Sequence, residues 1–243
     1  MKNYSRTGRL QAALAIASEA GQGQQRSNQY GEAIVSPLRL DQYAAEGTMF
    51  VTSNATIGTA VAIVGTNQTA YTATAPAFLI KNTEASGGKD IILKRLTMVM
   101  TGVGSSITSF DTAVVVDSTS RYTSGGVAAT ITNARADQAN ATVAQIYQAS
   151  TAIVATSPTA SARVIARRRL RSQTPVVSDQ YVFNFGNDAQ TESVNITTTL
   201  AGGCSINTAP VILPPGSTAL VYLWATGMAS VPVVEWMIEH IER

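Results

Sequence analysis

The chain's 243 residues carry 17 Lys and Arg against 15 Asp and Glu, a formal charge of +2, and only 13% of them are charged, about half the usual share of a globular protein. The 45% hydrophobic content excludes disorder throughout, and the small charge excludes a molecule that binds nucleic acid or a membrane by its overall field. A single cysteine, Cys204, and a single histidine, His240, exclude an internal disulfide and zinc-finger or His-rich metal sites, so no cofactor or metal is called for.

Residues 1–47 are rich in Gln, Gly, Ala and Arg and read as an extended N-terminal arm that orders itself only on a neighbour. A helical option lies at 9–19, where Leu10, Leu14 and Ala17 recur at three- and four-residue steps. Lys2, Arg6 and Arg9 before this short, alanine-rich stretch superficially match a signal peptide, but its apolar run is weak, and a soluble product made inside the cell is expected. No run reaches the ~18 apolar residues of a membrane helix; the most apolar tract, 211–224, is broken by Pro214, Pro215 and Gly216.

From residue 48 to 243 the texture changes to short Val, Ile, Thr, Phe and Tyr runs separated by Gly, Pro, Asn and Ser, the pattern of a single all-β domain. Strands are expected at 48–52, 58–64, 77–81, 91–100, 110–116, 127–131, 162–170, 181–185, 193–199, 217–224 and 233–241. In 91–100, strict alternation puts Ile92, Lys94, Leu96, Met98 and Met100 on one face and Ile91, Leu93, Arg95, Thr97 and Val99 on the other. One short helix is expected over 133–149, from the spacing of Ala134, Gln138, Ala141 and Gln145. The fold class that follows is an antiparallel β-sandwich, jelly-roll-like.

Candidate chemistry is sparse. The glycine-rich stretches at 101–106, 124–127 and 201–204 complete no phosphate-binding pattern and read as turns. Cys204 and His240 form a conceivable dyad, with a small buried thiol and an unrelated histidine as the plainer reading. Asp111 with Asp117, and Glu235 with Glu239, alternate onto one strand face each, which either a two-carboxylate cleft or a solvated edge would give. A calcium set of Asp179, Asn184, Asn187 and Asp188 lacks the register of a known loop.

The most distinctive segment holds Arg163, Arg167, Arg168, Arg169 and Arg171. As a strand it aligns Arg163, Ile165, Arg167, Arg169 and Arg171 on one face. Like charges this close need screening by water or an acidic partner. Three readings stay open: a solvated strand, an intersubunit contact in which the guanidinium forks reach neighbouring carboxylates or carbonyls, and, least favoured, contact with packaged nucleic acid. Trp224 and Trp236 offer large apolar areas, suited to the core or, if exposed, to oligomer anchoring or sugar stacking.

Val211, Ile212, Leu213, Pro214, Pro215, Gly216, Ser217 and Thr218, then Leu220, Val221, Tyr222, Leu223 and Trp224, then Val234, Glu235 and Trp236 near the chain end, resemble the closing strands of bacteriophage virion proteins with a jelly-roll fold. Independently, Pro215 and Gly216 suit the centre of a type II turn. The resemblance implies a non-enzymatic subunit of the virion, made in the host cytoplasm, that oligomerises, commonly as a trimer, and decorates or cements a capsid lattice or forms part of the shell. Its partners would be the major capsid protein or other virion subunits, with the arm clamping neighbours. Arg163, Arg167, Arg169, Arg171, Trp224 and Trp236 are the expected interface residues. The alternative is a carbohydrate-binding or adhesive module, in which Tyr71, Tyr122, Tyr181 or the tryptophans stack on sugar; a third class, a hydrolase domain, would need convergent carboxylates.

Overall fold

The computed structural model describes residues 40–54, 60–62, 70–105, 107, 109–139, 141–186 and 203–243. The chain divides into Met1–Gln42 and Tyr43–Arg243, and every described strand belongs to the second unit. Of the expected arm, residues 1–39 lie outside the described residues, as do the helical option at 9–19 and the strand at 193–199. Residues 40–47 hold a short helix, α1 (Leu40–Ala45), and the turn after it.

Fourteen strands follow among the described residues: β1 (Met49–Ser53), β2 (Val61–Ala62), β3 (Phe78–Asn82), β4 (Ile91–Gly102), β5 (Ser109–Asp117), β6 (Tyr122–Ala128), β7 (Ile131–Asn133), β8 (Ala144–Ala155), β9 (Arg163–Arg171), β10 (Gln180–Phe185), β11 (Gly203–Thr208), β12 (Val211–Leu213), β13 (Thr218–Thr226) and β14 (Val233–Glu242). They form two sheets. The eight-stranded sheet runs β11-β10-β4-β14-β1-β7, with β12 beside β4 and β2 beside β14; the six-stranded sheet runs β6-β8-β3-β13-β5-β9. All pairs are antiparallel except β10 with β11.

Within these sheets eight strands, β1, β3, β4, β5, β9, β10, β13 and β14, make the frame. Numbered one to eight along the chain, they stand as one-eight-three-six in one sheet and two-seven-four-five in the other. That is the strand order of a jelly roll. The segment carrying β6, β7 and β8 is inserted between β5 and β9 and widens both sheets on the same flank, while β11 and β12 are inserted between β10 and β13.

The inner faces of the two sheets meet in one core that includes Phe78, Leu96, Phe110, Phe183, Val221 and Trp236. Burying each large side chain there contributes about 1.5–3 kcal/mol, which is why alternation with one apolar face suffices to fix the pairing. A second apolar cluster, including Leu79, Val115, Ile153, Leu220 and Tyr222, lies on the outer face of the six-stranded sheet. Residues 70–77 are strapped to that sheet by Ala77 N–H donating to Val221 O (2.8 Å) and Ala155 N–H donating to Thr74 O (2.8 Å).

Several local expectations are corrected. The helix over 133–149 does not form: β7 ends at Asn133 and β8 begins at Ala144. Along β8, Ala144 and Ile146 enter the inter-sheet core while Tyr147 and Ala149 join the outer cluster, so sheet packing overrides the helical spacing of its alanines and glutamines. The strand expected at 127–131 is split between β6 and β7. In β4 the alternation breaks at Lys94: Glu239 pairs with Arg95 but His240 with Leu93, leaving one residue bulged. The buried face is therefore Ile91, Leu93, Leu96, Met98 and Met100, not the uninterrupted set that strict alternation gives. The type II turn holds as expected, with Ser217 N–H donating to Pro214 O (3.1 Å) and Gly216 at φ 79°.

Candidate functional site

The strand carrying the arginines, β9, closes one end of the six-stranded sheet and bonds only to β5 among the described residues. Its register is interrupted twice. Arg163, Val164, Ala166, Arg167, Arg168, Arg169 and Arg171 pair with Val116, Val115, Val114, Ala113, Thr112, Asp111 and Phe110, so Ile165 and Leu170 are inserted residues. Directly paired residues share a face, and in β5 Phe110 and Val114 face the inter-sheet core while Ala113 and Val115 face outward. Arg163, Arg168 and Arg171 thus share the inward-facing side, whereas Val164, Arg167 and Arg169 share the outer face.

This corrects the single row of arginines expected from alternation. Each inserted residue reverses the alternation, and together they seat Ile165, Ala166 and Leu170 against the core while the guanidinium groups divide between the two sides of one edge. Arg171 is bonded to Asp179, a carboxylate buried beneath it that also accepts from Val176 N–H (2.8 Å) and Tyr181 O–H (3.2 Å). Burial, then the neighbouring Asp179 charge, pushes the Tyr181 hydroxyl well above its ordinary range. Arg169 Nε donates to Asp111 Oδ1 at 3.1 Å. Arg163, Arg167 and Arg168 are exposed and have no carboxylate partner among the described residues. Beside them Val164 is 62% exposed, more than any other large apolar side chain among the described residues.

Across the outer face, Trp224 of β13 pairs with Asp111, which pairs with Arg169; Tyr222 pairs with Ala113, which pairs with Arg167. Trp224 is half-buried and meets Tyr71 edge-on at 5.6 Å between ring centres. Tyr71 also packs on Tyr222 at 4.9 Å. The fold therefore brings Arg167, Arg169 and Trp224 onto one face, one strand apart, and leaves Arg163 at the same edge on the other side. Trp236, expected with them, is instead a core residue, 3% exposed, whose Nε1 donates to Gln148 Oε1 at 2.7 Å.

Sequence reasoning missed the residues that hold this face together. Arg121 is fully buried; its Nε donates to Thr156 O (3.0 Å), and its Nη2 reaches Ala73 O, which also accepts from Tyr222 O–H (2.7 Å). Ala73 is thereby fixed two residues from Tyr71. Asp117 lies 3.9 Å from Arg121 Nε. Burial by itself would raise the Asp117 carboxyl, but hydrogen bonds from Thr159, Ser161 and Thr119 outweigh it and hold the group down to about 2. Burial pushes the Tyr222 hydroxyl up to about 12. The only hint of this cluster in the sequence is the four-residue spacing of Asp117 and Arg121, which many solvated loops share.

The other candidates are dispersed by the fold. Cys204 on β11 and His240 on β14 stand three strands apart, about 14 Å or more, and burial raises the thiol. Asp111 and Asp117 each face a cation, as Glu239 faces Arg95. Asp179 is bonded to Arg171, and Asn184 donates to Ser205 and Asn207; Asn187 and Asp188 lie outside the described residues. Gly125 and Gly126 occupy the irregular stretch of β6, where a Cβ on Gly125 would stand 2.0 Å from Ala152 O. Tyr122 is stacked on Tyr147 (4.1 Å) and Tyr181 is 1% exposed. Among the described residues no helix is long and apolar enough to cross a membrane. Family models, curated proteins and solved structures contain no match to the chain.

Proposed function

We propose that this protein is a structural subunit of a bacteriophage virion, most simply a decoration or cement subunit that stabilises a capsid lattice through contacts with copies of itself and with the major capsid protein. The observation that carries the reading is the β9 edge: among the described residues, three arginines have no carboxylate partner and stand beside an apolar Val164 on a strand that bonds only to β5. An isolated molecule gains nothing from concentrating cations there, whereas an interface takes up both the forks and the exposed valine. The jelly-roll strand order supports the reading, being an architecture of capsid and lectin domains, though fold alone does not choose among functions.

The closing Pro-Gly turn and the aromatic strand after it add the resemblance to phage virion proteins. The residues assigned to assembly are Arg163, Arg167, Arg169 and Trp224, with Arg171 held at the rim by Asp179. Replacing Arg163, Arg167 and Arg169 together by Ala tests this. Unfolding in urea is expected to change by under about 1 kcal/mol, since exposed ion pairs such as Arg169 with Asp111 contribute little, while the mass measured by sedimentation drops toward the monomer. An unchanged oligomer would show that the edge is merely solvated.

A second reading is favoured by one specific feature. Tyr71 and Trp224 stand edge-to-face on a sheet exterior beside the Asp111 and Arg169 pair, a grouping that a hexose ring can stack on while its hydroxyls bond the charged pair. Glycan-array binding by the isolated monomer, abolished by Trp224→Ala, would favour that carbohydrate-binding module over the virion subunit.

A further inference from the structure

The outer face of the opposite, eight-stranded sheet carries a complement to the arginine edge. A depression of about 240 Å³ lies there, lined by Ser53 of β1, Thr97 and Val99 of β4 and Glu235 and Met237 of β14, with walls that are mostly apolar. Glu235 is the only carboxylate lining it. Four residues along the same strand, Glu239 is taken up by Arg95, whereas the Glu235 side chain makes no hydrogen bond or ion pair among the described residues. A half-buried carboxylate in an apolar setting calls for a cation from elsewhere.

We infer that this depression receives the β9 edge of a second copy of the chain, with Val164 filling its apolar floor and Arg167 paired to Glu235. The inference rests on the subunit reading above and deepens it by naming the partner surface. Three observations argue for the occupant. Val164 and Arg167 share the outer face of β9, so an apolar side chain and a cation advance together. The depression offers the matching pair, apolar walls and one carboxylate. Both partners lack a counterion within their own chain among the described residues. Because the two surfaces are different and lie on opposite sheets, the contact is head-to-tail; it closes into a ring, a trimer included, or extends as a lattice, and it does not make a two-fold dimer. The bulges and charges of β9 also make simple strand addition at its edge unfavourable, which leaves side-chain docking as its mode of contact.

The test is a charge exchange in the full chain: Arg167→Glu, Glu235→Lys and the two combined, with Glu235→Gln as a milder variant and thermal unfolding to confirm that each folds. Sedimentation velocity is expected to show self-association weakened about tenfold or more by each reversal, less by Glu235→Gln, and largely restored in the double variant, because the pair is re-formed with its signs exchanged. Reversals that leave self-association unchanged would overturn the pairing while the oligomeric subunit stands. Weakening by Arg167→Glu but not by Glu235→Lys would mean that the arginine meets another surface of the neighbouring copy, and would overturn the depression as its docking site. A wild-type chain that remains a 25.4 kDa monomer at every concentration would sink the pairing too, and with it the subunit's self-assembly.

Discussion

Asp117 and Arg121 are the clearest case of single residues that organise the candidate surface without belonging to it. Their side chains are fully buried and 3.9 Å apart, and Arg121 reaches the carbonyls of Ala73 and Thr156, which fixes the strap that carries Tyr71. The hydrogen bonds that Asp117 accepts from Thr159, Ser161 and Thr119 stabilise the fold only while its carboxylate is charged. The Asp117 carboxyl lies at about 2 in the folded chain against an ordinary value of 3.8, so the unfolded chain takes up a proton first on acidification. The stability it contributes is complete above about pH 4 and is lost as pH falls toward 2. Thermal melts at stepped pH are expected to show wild type losing stability across that window and Asp117→Asn losing distinctly less; parallel curves would contradict the assignment. Glu242 acts in the same direction on the opposite sheet. Burial would raise its carboxyl, but His240, Thr142 and Val143 bond to it and bring it below the usual range.

At the scale of elements, alternation located most of the frame, because a strand with one face in an apolar core must repeat every two residues. The expected strands at 48–52, 77–81, 91–100, 110–116, 162–170, 181–185, 217–224 and 233–241 all correspond to strands of the fold. What alternation could not supply is where an extra residue is inserted. The bulged Lys94, Ile165 and Leu170 are ordinary strand residues in composition, and their displacement is decided by the partner strand. For this reason the arginine segment was recognisable as a candidate while its division between two sides was not. Strand β8 was missed for a related reason: its alanines and glutamines suit a helix locally, and its pairing with β3 and β6, with Gln148 meeting Trp236 and Tyr147 meeting Tyr122, makes it a strand.

Helix α1 shows the same limit at the start of the unit. Residue 47 is a natural boundary by composition, yet Tyr43 is 8% exposed, lies under the Arg243 guanidinium (4.8 Å) and near the Lys94 amine (5.9 Å), and Gly47 O accepts from Asn133 Nδ2 (2.7 Å). A chain lacking residues 1–39 is therefore expected to keep a stability that a chain lacking 1–47 loses by about 2 kcal/mol, the order of one large buried side chain. Equal urea midpoints for the two truncations would contradict that placement.

At the scale of the whole molecule, two sheets in jelly-roll order enclose a core, and the outer faces carry what the core does not use: an aromatic and arginine surface on one side, an apolar depression with one carboxylate on the other. Only 13% of the chain is charged, and among the described residues Arg163, Arg167, Arg168 and Glu235, which have no ion-pair partner, lie on the β9 edge and on the outer face of the eight-stranded sheet. The measurement that bears most directly on this account is the copy number of the protein in purified virus particles, relative to the main shell protein. The account predicts a fixed, high ratio, a regular fraction of the lattice. Particles that lack the protein, with the chain recovered only as a free monomer from the producing cells, would contradict it.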